Sequence, residues 1–487
     1  MPEAAMMQRI FLLALALNVV STSYAAMDSN VYVVHMDKSK MRAFDVSVGT
    51  SRRWYEAMIQ SINVDSEVGQ EAELLYENVI SGFSARLSKQ HLESLAKADS
   101  ATMDELYSLH TTHSPHFLGL EEGVGLWDAE NLASDVIIGV VDTGIWPEHP
   151  SFRGKGLPPV PSHWRGKCKA GPKFAASNCN RKLVGAKAFF KGYEAIAGRV
   201  NETSDYRSPR DSQGHGTHTS STAGGNLVKG ANFLGLAKGT ASGMRYTARI
   251  AAYKACYQLG CATSDIVAAM EQAVRDGVDV LSLSLGGPLG SSVSNIAPWM
   301  ATVAASYMDR VFPARVELGD GQILLGTSLY SGKAPTTPLH LAYGDTAGGR
   351  GTRGARMAGG AGMILANGEN QGEELLADAH VLPAASLGAA ASKAVKMYSN
   401  STTNATAVLT FDGEVYNSPA PVMAAFSSRW PSLFEPDIIK PDITAPGVNI
   451  LAAWPPNISP TELTSDRRRI RFNIVSGTSM SCPTSVT

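Results

Sequence analysis

The segment Val136-Ile137-Ile138-Gly139-Val140-Val141-Asp142-Thr143-Gly144 constrains the fold more than any other part of the chain. Its apolar run does not alternate with polar residues, so both faces must be buried, as in a parallel strand covered by helices on each side. The run ends on a carboxylate followed by a glycine turn. Open α/β sheets place their sites at the carboxyl ends of their strands, so an acid delivered there is a candidate functional group. Ala248 to Ala255 repeats the continuous apolar pattern, and Val278 to Leu285 reads as a third strand. Between them, Thr263 to Asp276 carries Ile266, Val267, Met270, Ala273 and Val274 at helical spacing and stops at Gly277, a helix C-terminal signal. Strand, helix and strand with short loops predict a doubly wound parallel α/β sheet.

Two more segments carry chemistry. Asp211-Ser212-Gln213-Gly214-His215-Gly216-Thr217-His218 puts an imidazole at the start of a Thr- and Ser-rich helix. Ser476-Gly477-Thr478-Ser479-Met480-Ser481-Cys482-Pro483 puts a hydroxyl on a turn leading into another helix, whose N-terminus favours developing negative charge. Peptide-bond cleavage by serine needs a hydroxyl nucleophile, an imidazole base, a carboxylate to orient that base, and donors for the oxyanion. Each fragment alone is ambiguous, because Asp-Thr-Gly also marks aspartic proteases and a His-x-x-His pair can hold a metal.

Taken together, in the order Asp, His, Ser, these motifs resemble the plant subtilisin-like serine proteases, and the order itself is the one known for subtilisin. The resemblance extends through Asn295-Ile296-Ala297-Pro298-Trp299 and Pro441-Asp442-Ile443-Thr444-Ala445-Pro446-Gly447. It implies a secreted serine endopeptidase that cleaves polypeptides by acyl transfer, with Asp142, His215 and Ser479 as the triad. It also implies that Ser284, Leu285 and Gly286 form a substrate-binding segment whose backbone pairs with an extended peptide. No cofactor or metal is expected. His218, one turn beyond the base, reads as a packed structural histidine. His110, His113 and His116 recur at every third residue, but Pro115 breaks any helix that could align them on a metal.

Composition narrows the partners and the address. With 487 residues, 44% hydrophobic and 18% charged, the chain holds several domains and is not disordered. Acidic side chains number 44 and basic ones 42, so no long-range field draws it to nucleic acid or an anionic membrane. Arg467, Arg468, Arg469 and Arg471 read as a solvated edge. The N-terminus carries Arg9, an apolar run from Ile10 to Val20 and Ser23-Tyr24-Ala25-Ala26, the signature of a signal peptide cleaved near Ala25 or Ala26. A transmembrane anchor needs about 20 apolar residues, well beyond this run. The expected location is extracellular, in the apoplast or cell wall. Cys168 with Cys179 and Cys256 with Cys261 are placed for two local disulfides, leaving Cys482 over, and neither pair has the second pair that zinc requires. Sequons begin at Asn201, Asn400 and Asn404.

Along the chain, a signal peptide (1–26) precedes a small α+β unit (27–110). In that unit Asn30 to Met36 and Tyr76 to Leu87 read as strands and Gln90 to Ala98 as a helix. The unit resembles the prodomain that assists folding of such proteases and then inhibits them, with processing between His110 and Thr111. The catalytic domain is expected over 111–331 and 414–487. Gly- and Ala-rich residues 332–413, including Ala358 to Asn367, resemble the protease-associated insertion of plant subtilases.

The chain also departs from the family pattern. Only Pro288 to Val293 separate Gly287 from Ser294, too few for a parallel crossover, which needs a dozen or more residues. The helix, strand and Asn that supply the family's side-chain oxyanion donor are therefore expected to be missing. The sequence ends at Thr487, the insertion is shortened between Tyr343 and Met357, Thr484 stands where the family has His, and Trp430 where it has Gly. These departures raise a second expectation: a catalytically impaired remnant acting, if at all, as a binding or inhibitory protein.

Overall fold

The computed structural model describes residues 29–36, 74–76, 82–88, 98–103, 115–120, 127, 135–286, 292–342, 355, 359–433, 435–463 and 465–486. The signal peptide, residues 90–97 of the expected Gln90 to Ala98 helix, the processing site, His110, His113 and most of the shortened insertion segment lie outside the described residues, and Ala98 itself begins a strand. The chain divides into two compact bodies, one comprising Met1–Leu106, Phe189–Val200 and Leu259–Val274, the other the remaining residues.

In the first body, β1 (Ser29–Met36), β2 (Leu74–Tyr76), β3 (Gly82–Ser88) and β4 (Ala98–Met103) form an antiparallel sheet in the order β2-β3-β1-β4. Phe83, Ala85 and Leu87 of β3 are buried, and so is Ser84 between them. What reads in sequence as one strand region, Tyr76 to Leu87, is two strands. Helix α1 (Lys191–Ala197) belongs here too. The carboxylate of Asp265 accepts from the N–H groups of Gly192 at 3.1 Å and Tyr193 at 2.8 Å, so a buried acid satisfies the open donors of the α1 first turn.

The second body is built on the parallel sheet that the apolar runs predict. Its strands are β5 (Ile137–Asp142), β6 (Leu183–Ala188), β7 (Arg249–Lys254) and β8 (Val280–Leu283), ordered β8-β5-β7-β6 and all parallel. Every residue of β5 and β7 is buried. Ile138, Val140, Ile250 and Ala252 meet Phe152, Phe174 and Ala223 in a core on one face, and Ala223 comes from helix α2 (His215–Gly224). Helix α3 (Thr263–Asp276), which falls in the first body as far as Val274, ends as predicted, with Gly277 at φ +84°. Strand β8 covers less than the predicted Val278 to Leu285, because only Val280 to Leu283 pair with β5.

Strand β8 is an edge. The next strands, β9 (Val303–Tyr307) and β10 (Ile443–Pro446), pair parallel with each other in a separate three-stranded sheet. The parallel sheet is thus broken where the sequence lacks a crossover. The hairpin of β11 (Ile450–Ala453) and β12 (Phe472–Val475) leads to helix α5 (Thr478–Thr484) and shares a core with Phe233, Phe312 and Trp454.

Residues 313–411 form a six-stranded sheet of their own, covered by α4 (Ala389–Ser401). It is antiparallel except where Met363–Ala366 pairs parallel with Ala384–Leu387. The sheet begins at Pro313, upstream of the compositional change at Gly332, because its first hairpin is an ordinary alternating pair that composition does not mark. The arginine run is likewise more than a solvated edge. Arg468 binds Asp466 and donates to the carbonyls of Ala379 at 2.5 Å and His380 at 3.0 Å, tying the loop before β12 to residues 379–380. Cys168 and Cys179 are disulfide-bonded, Cys256 and Cys261 are disulfide-bonded, and Cys482 is free.

Candidate active site

Asp142 is the last residue of β5, and His215 the first of α2. The turn after β5 lets its backbone approach α2 closely: Gly144 sits at φ +109°, and a Cβ on Gly216 would collide with the Gly144 carbonyl oxygen. Across this contact His215 Nδ1 lies 2.6 Å from Asp142 Oδ1. A carboxylate only accepts, so Nδ1 carries the proton and the Nε2 lone pair points away from the acid. Nε2 is buried and has no hydrogen-bond partner among the described residues. A base oriented by an acid, with its proton-accepting nitrogen unengaged, is what a hydroxyl nucleophile requires.

Around this pair lies a network that sequence reading did not single out. Asp142 Oδ2 accepts from Thr219 Oγ1 at 2.9 Å, and Oδ1 from the Thr143 N–H at 2.6 Å. Thr143 Oγ1 donates to Asp211 at 3.0 Å and accepts from the Gly216 N–H at 2.7 Å. Asp211 also accepts from the N–H groups of Gln213, Gly214 and Thr217 at 3.0, 2.8 and 2.9 Å and from Thr217 Oγ1 at 2.5 Å. It therefore caps the helix that bears the base and couples that helix to the Asp142 turn. The available signal was an Asp just ahead of a Thr- and Ser-rich helix start. Behind it, Lys254 at the end of β7 forms a buried ion pair with Asp205 and donates to the Arg210 carbonyl at 2.9 Å.

His218 is buried, lies 3.1 Å from the Asn473 carbonyl through Nε2, and meets Trp454 edge to face. Burial holds its pKa well below the ordinary imidazole value, as expected of a packed neutral histidine.

Ser479 stands in the first turn of α5, which packs against α2, β9 and β10. Its hydroxyl does not donate to His215. Ser479 Oγ donates to the Ser284 carbonyl at 2.8 Å, and Ser284 Oγ donates back to the Ser479 carbonyl at 2.8 Å. The structure thus joins Asp142 to His215 and Ser479 to Ser284, and leaves the bond between the two pairs unmade. Beyond Ser284, the Leu285 carbonyl accepts from Asn295 Nδ2 at 2.8 Å, which braces the segment where it leaves β8. Cys482, one turn along α5, has its sulfur 3.6 Å from Ser282 Oγ. Burial pushes its thiol pKa up.

The subtilase (peptidase S8) family profile matches residues 133–485, and the peptidase inhibitor I9 profile matches residues 31–102. The chain is 43% identical to subtilisin-like protease SBT1.7 of Arabidopsis thaliana, covering 97% of this chain and 71% of that protein. It is 42% identical to subtilisin-like protease SBT1.4 of the same plant, covering 93% of this chain and 67% of that one.

Proposed function

The chain belongs to the subtilase family of serine proteases and carries an I9-type prodomain; from that premise we propose that it cleaves polypeptides through a triad of Asp142, His215 and Ser479. The observation that carries this reading is the 2.6 Å bond from His215 Nδ1 to Asp142, with Nε2 left open. In the reaction, His215 Nε2 takes the Ser479 proton as Oγ bonds to the substrate carbonyl carbon. The proton passes to the leaving amine as the C–N bond breaks, and water then releases the acyl group by the same route in reverse. Asp142 stays ionised and stabilises the imidazolium. The Ser479 N–H, in the first turn of α5 and without an intrahelical acceptor, is the main-chain donor for the oxyanion.

The family's second donor, an Asn side chain, has no counterpart in the short stretch after β8. Removing such a donor costs about 10² to 10³ in turnover, a magnitude that comes from subtilisin itself. We therefore read the chain as a slow member of its family. The comparisons do not favour the non-catalytic remnant. The N-terminal sheet acts as the intramolecular inhibitor, residues 332–413 are the protease-associated insertion, and the product is secreted. No helix among the described residues is long and apolar enough to cross a membrane. The sequon residues Asn201, Asn400 and Asn404 are all exposed, as glycan acceptors must be.

A serine-directed fluorophosphonate tests the reading. Ser479 is expected to be modified, with the label lost in Ser479→Ala and strongly reduced in His215→Ala. Folded wild-type protein that takes no label at Ser479 would overturn it.

A further inference from the structure

The reciprocal bonds between Ser284 and Ser479 do more than pack a helix against a strand. Both residues are buried, and each hydroxyl donates to the other's carbonyl at 2.8 Å. The nucleophile's only proton is therefore committed to Ser284 O, while His215 Nε2 lies buried without a partner among the described residues. In the free protein the Ser284 carbonyl holds that proton. That carbonyl lies at the start of the 284–286 segment, where a peptide's main-chain N–H would need an acceptor to extend the edge of β8.

We infer that Ser284 is a positioning residue that parks the nucleophile, and that peptide docking arms it. This rests on the proteolytic reading above. A peptide N–H arriving at Ser284 O displaces the Ser479 hydroxyl from that acceptor. The hydroxyl's remaining acceptor is then the Nε2 lone pair, the position from which its proton can leave. The Ser284 hydroxyl stays on the Ser479 carbonyl throughout and holds the start of α5 in place while Oγ turns. Substrate main chain, and not only substrate side chains, thereby tunes the reactivity of the serine, and ligands without that N–H still modify it, about tenfold or more slowly.

The test separates binding from reaction. A tetrapeptidyl diphenyl phosphonate is compared with its analogue methylated on the nitrogen of the phosphonate-bearing residue. In either, Ser479 Oγ bonds to phosphorus, phenoxide leaves, and the hydroxyl proton passes to His215 Nε2. Loss of one contact from affinity alone would raise the half-saturation concentration and leave the maximal inactivation rate unchanged. Parking predicts that the maximal rate itself falls about tenfold or more on methylation, the scale of one net hydrogen bond. In parallel, Ser284→Ala is expected to lower kcat about tenfold with KM within about twofold, and Ser284→Thr, which keeps the hydroxyl, to restore it. Equal maximal rates for the two phosphonates would overturn the parking inference and leave the protease reading intact. An unchanged kcat in Ser284→Ala would remove Ser284 from the positioning role. No modification of Ser479 by either compound in folded protein would instead strike at the protease reading itself.

Discussion

The base and the nucleophile of this site are held in different ways. On the base side, Asp142 and His215 sit at the facing ends of β5 and α2, and Thr143, Asp211, Thr217 and Thr219 tie the two ends together with hydrogen bonds that are all buried. Removing one leaves several in place. On the nucleophile side, Ser479 is placed by a seven-residue helix and by two bonds to Ser284, at the edge of a sheet that ends early. The base side is redundantly determined by several buried bonds between two chain segments, whereas the nucleophile side depends on an edge strand. A lesion in the chain between β8 and β9 can therefore blunt the chemistry without disassembling the acid–base pair.

Asp142→Asn gives the largest expected effect, because the amide reverses the hydrogen-bond polarity that fixes the His215 tautomer. Activity against a peptide ester should fall about 10⁴-fold with the fold intact by circular dichroism. A loss below tenfold would mean that the base side is not the working half.

Next comes Asp205→Asn, which leaves the Lys254 ammonium buried without its counter-charge behind the Asp211 loop. Breaking such a pair costs about 3 to 5 kcal/mol, to be read from urea unfolding. A loss under about 1 kcal/mol would show that the base side is less tightly determined than its hydrogen bonds suggest.

The comparison is sharpened by repairing the weaker side. Inserting a crossover of about a dozen or more residues between Gly287 and Ser292, ending in a strand that presents an Asn, should raise kcat by about 10² to 10³. If kcat does not move in a folded variant, the second donor is not what limits turnover.

The smallest effect is on pH. Burial lowers the pKa of His149 and of His380 to about 4, and that of His218 falls well below its ordinary value of 6.5. All three are depressed relative to the unfolded chain, so between pH 6.5 and about 4 the unfolded state binds more protons than the native one. Stability is therefore fully present above pH 6.5 and is lost as pH falls towards about 4. Thermal unfolding should show Tm dropping through this window. For His149→Gln the drop should be shallower, because the amide keeps a donor for the Arg471 carbonyl, which lies 2.9 Å from Nε2, and does not titrate. An unchanged slope would remove His149 from the account.

Much of this was legible in the residues alone. An unbroken apolar run can only be a strand buried on both faces, so Val136 to Asp142 determined the position of the acid before any contact was known. The glycines around His215, and the turn before Ser479, likewise marked close backbone approaches at helix starts. The short stretch after Gly287 foretold the break between β8 and β9, because no crossover fits in it. These inferences succeed because they rest on chain connectivity and backbone sterics, which are local. Whether Thr143, Asp211 and Thr219 would meet around one carboxylate, whether Arg468 would pin residues 379–380, and which acceptor would hold the Ser479 hydroxyl were decided by the tertiary structure. A hydrogen bond between residues far apart in sequence depends on distances that no single segment encodes. The choice between Ser284 O and His215 Nε2 turns on how a short helix lands against an edge strand, and only the assembled sheet determines that.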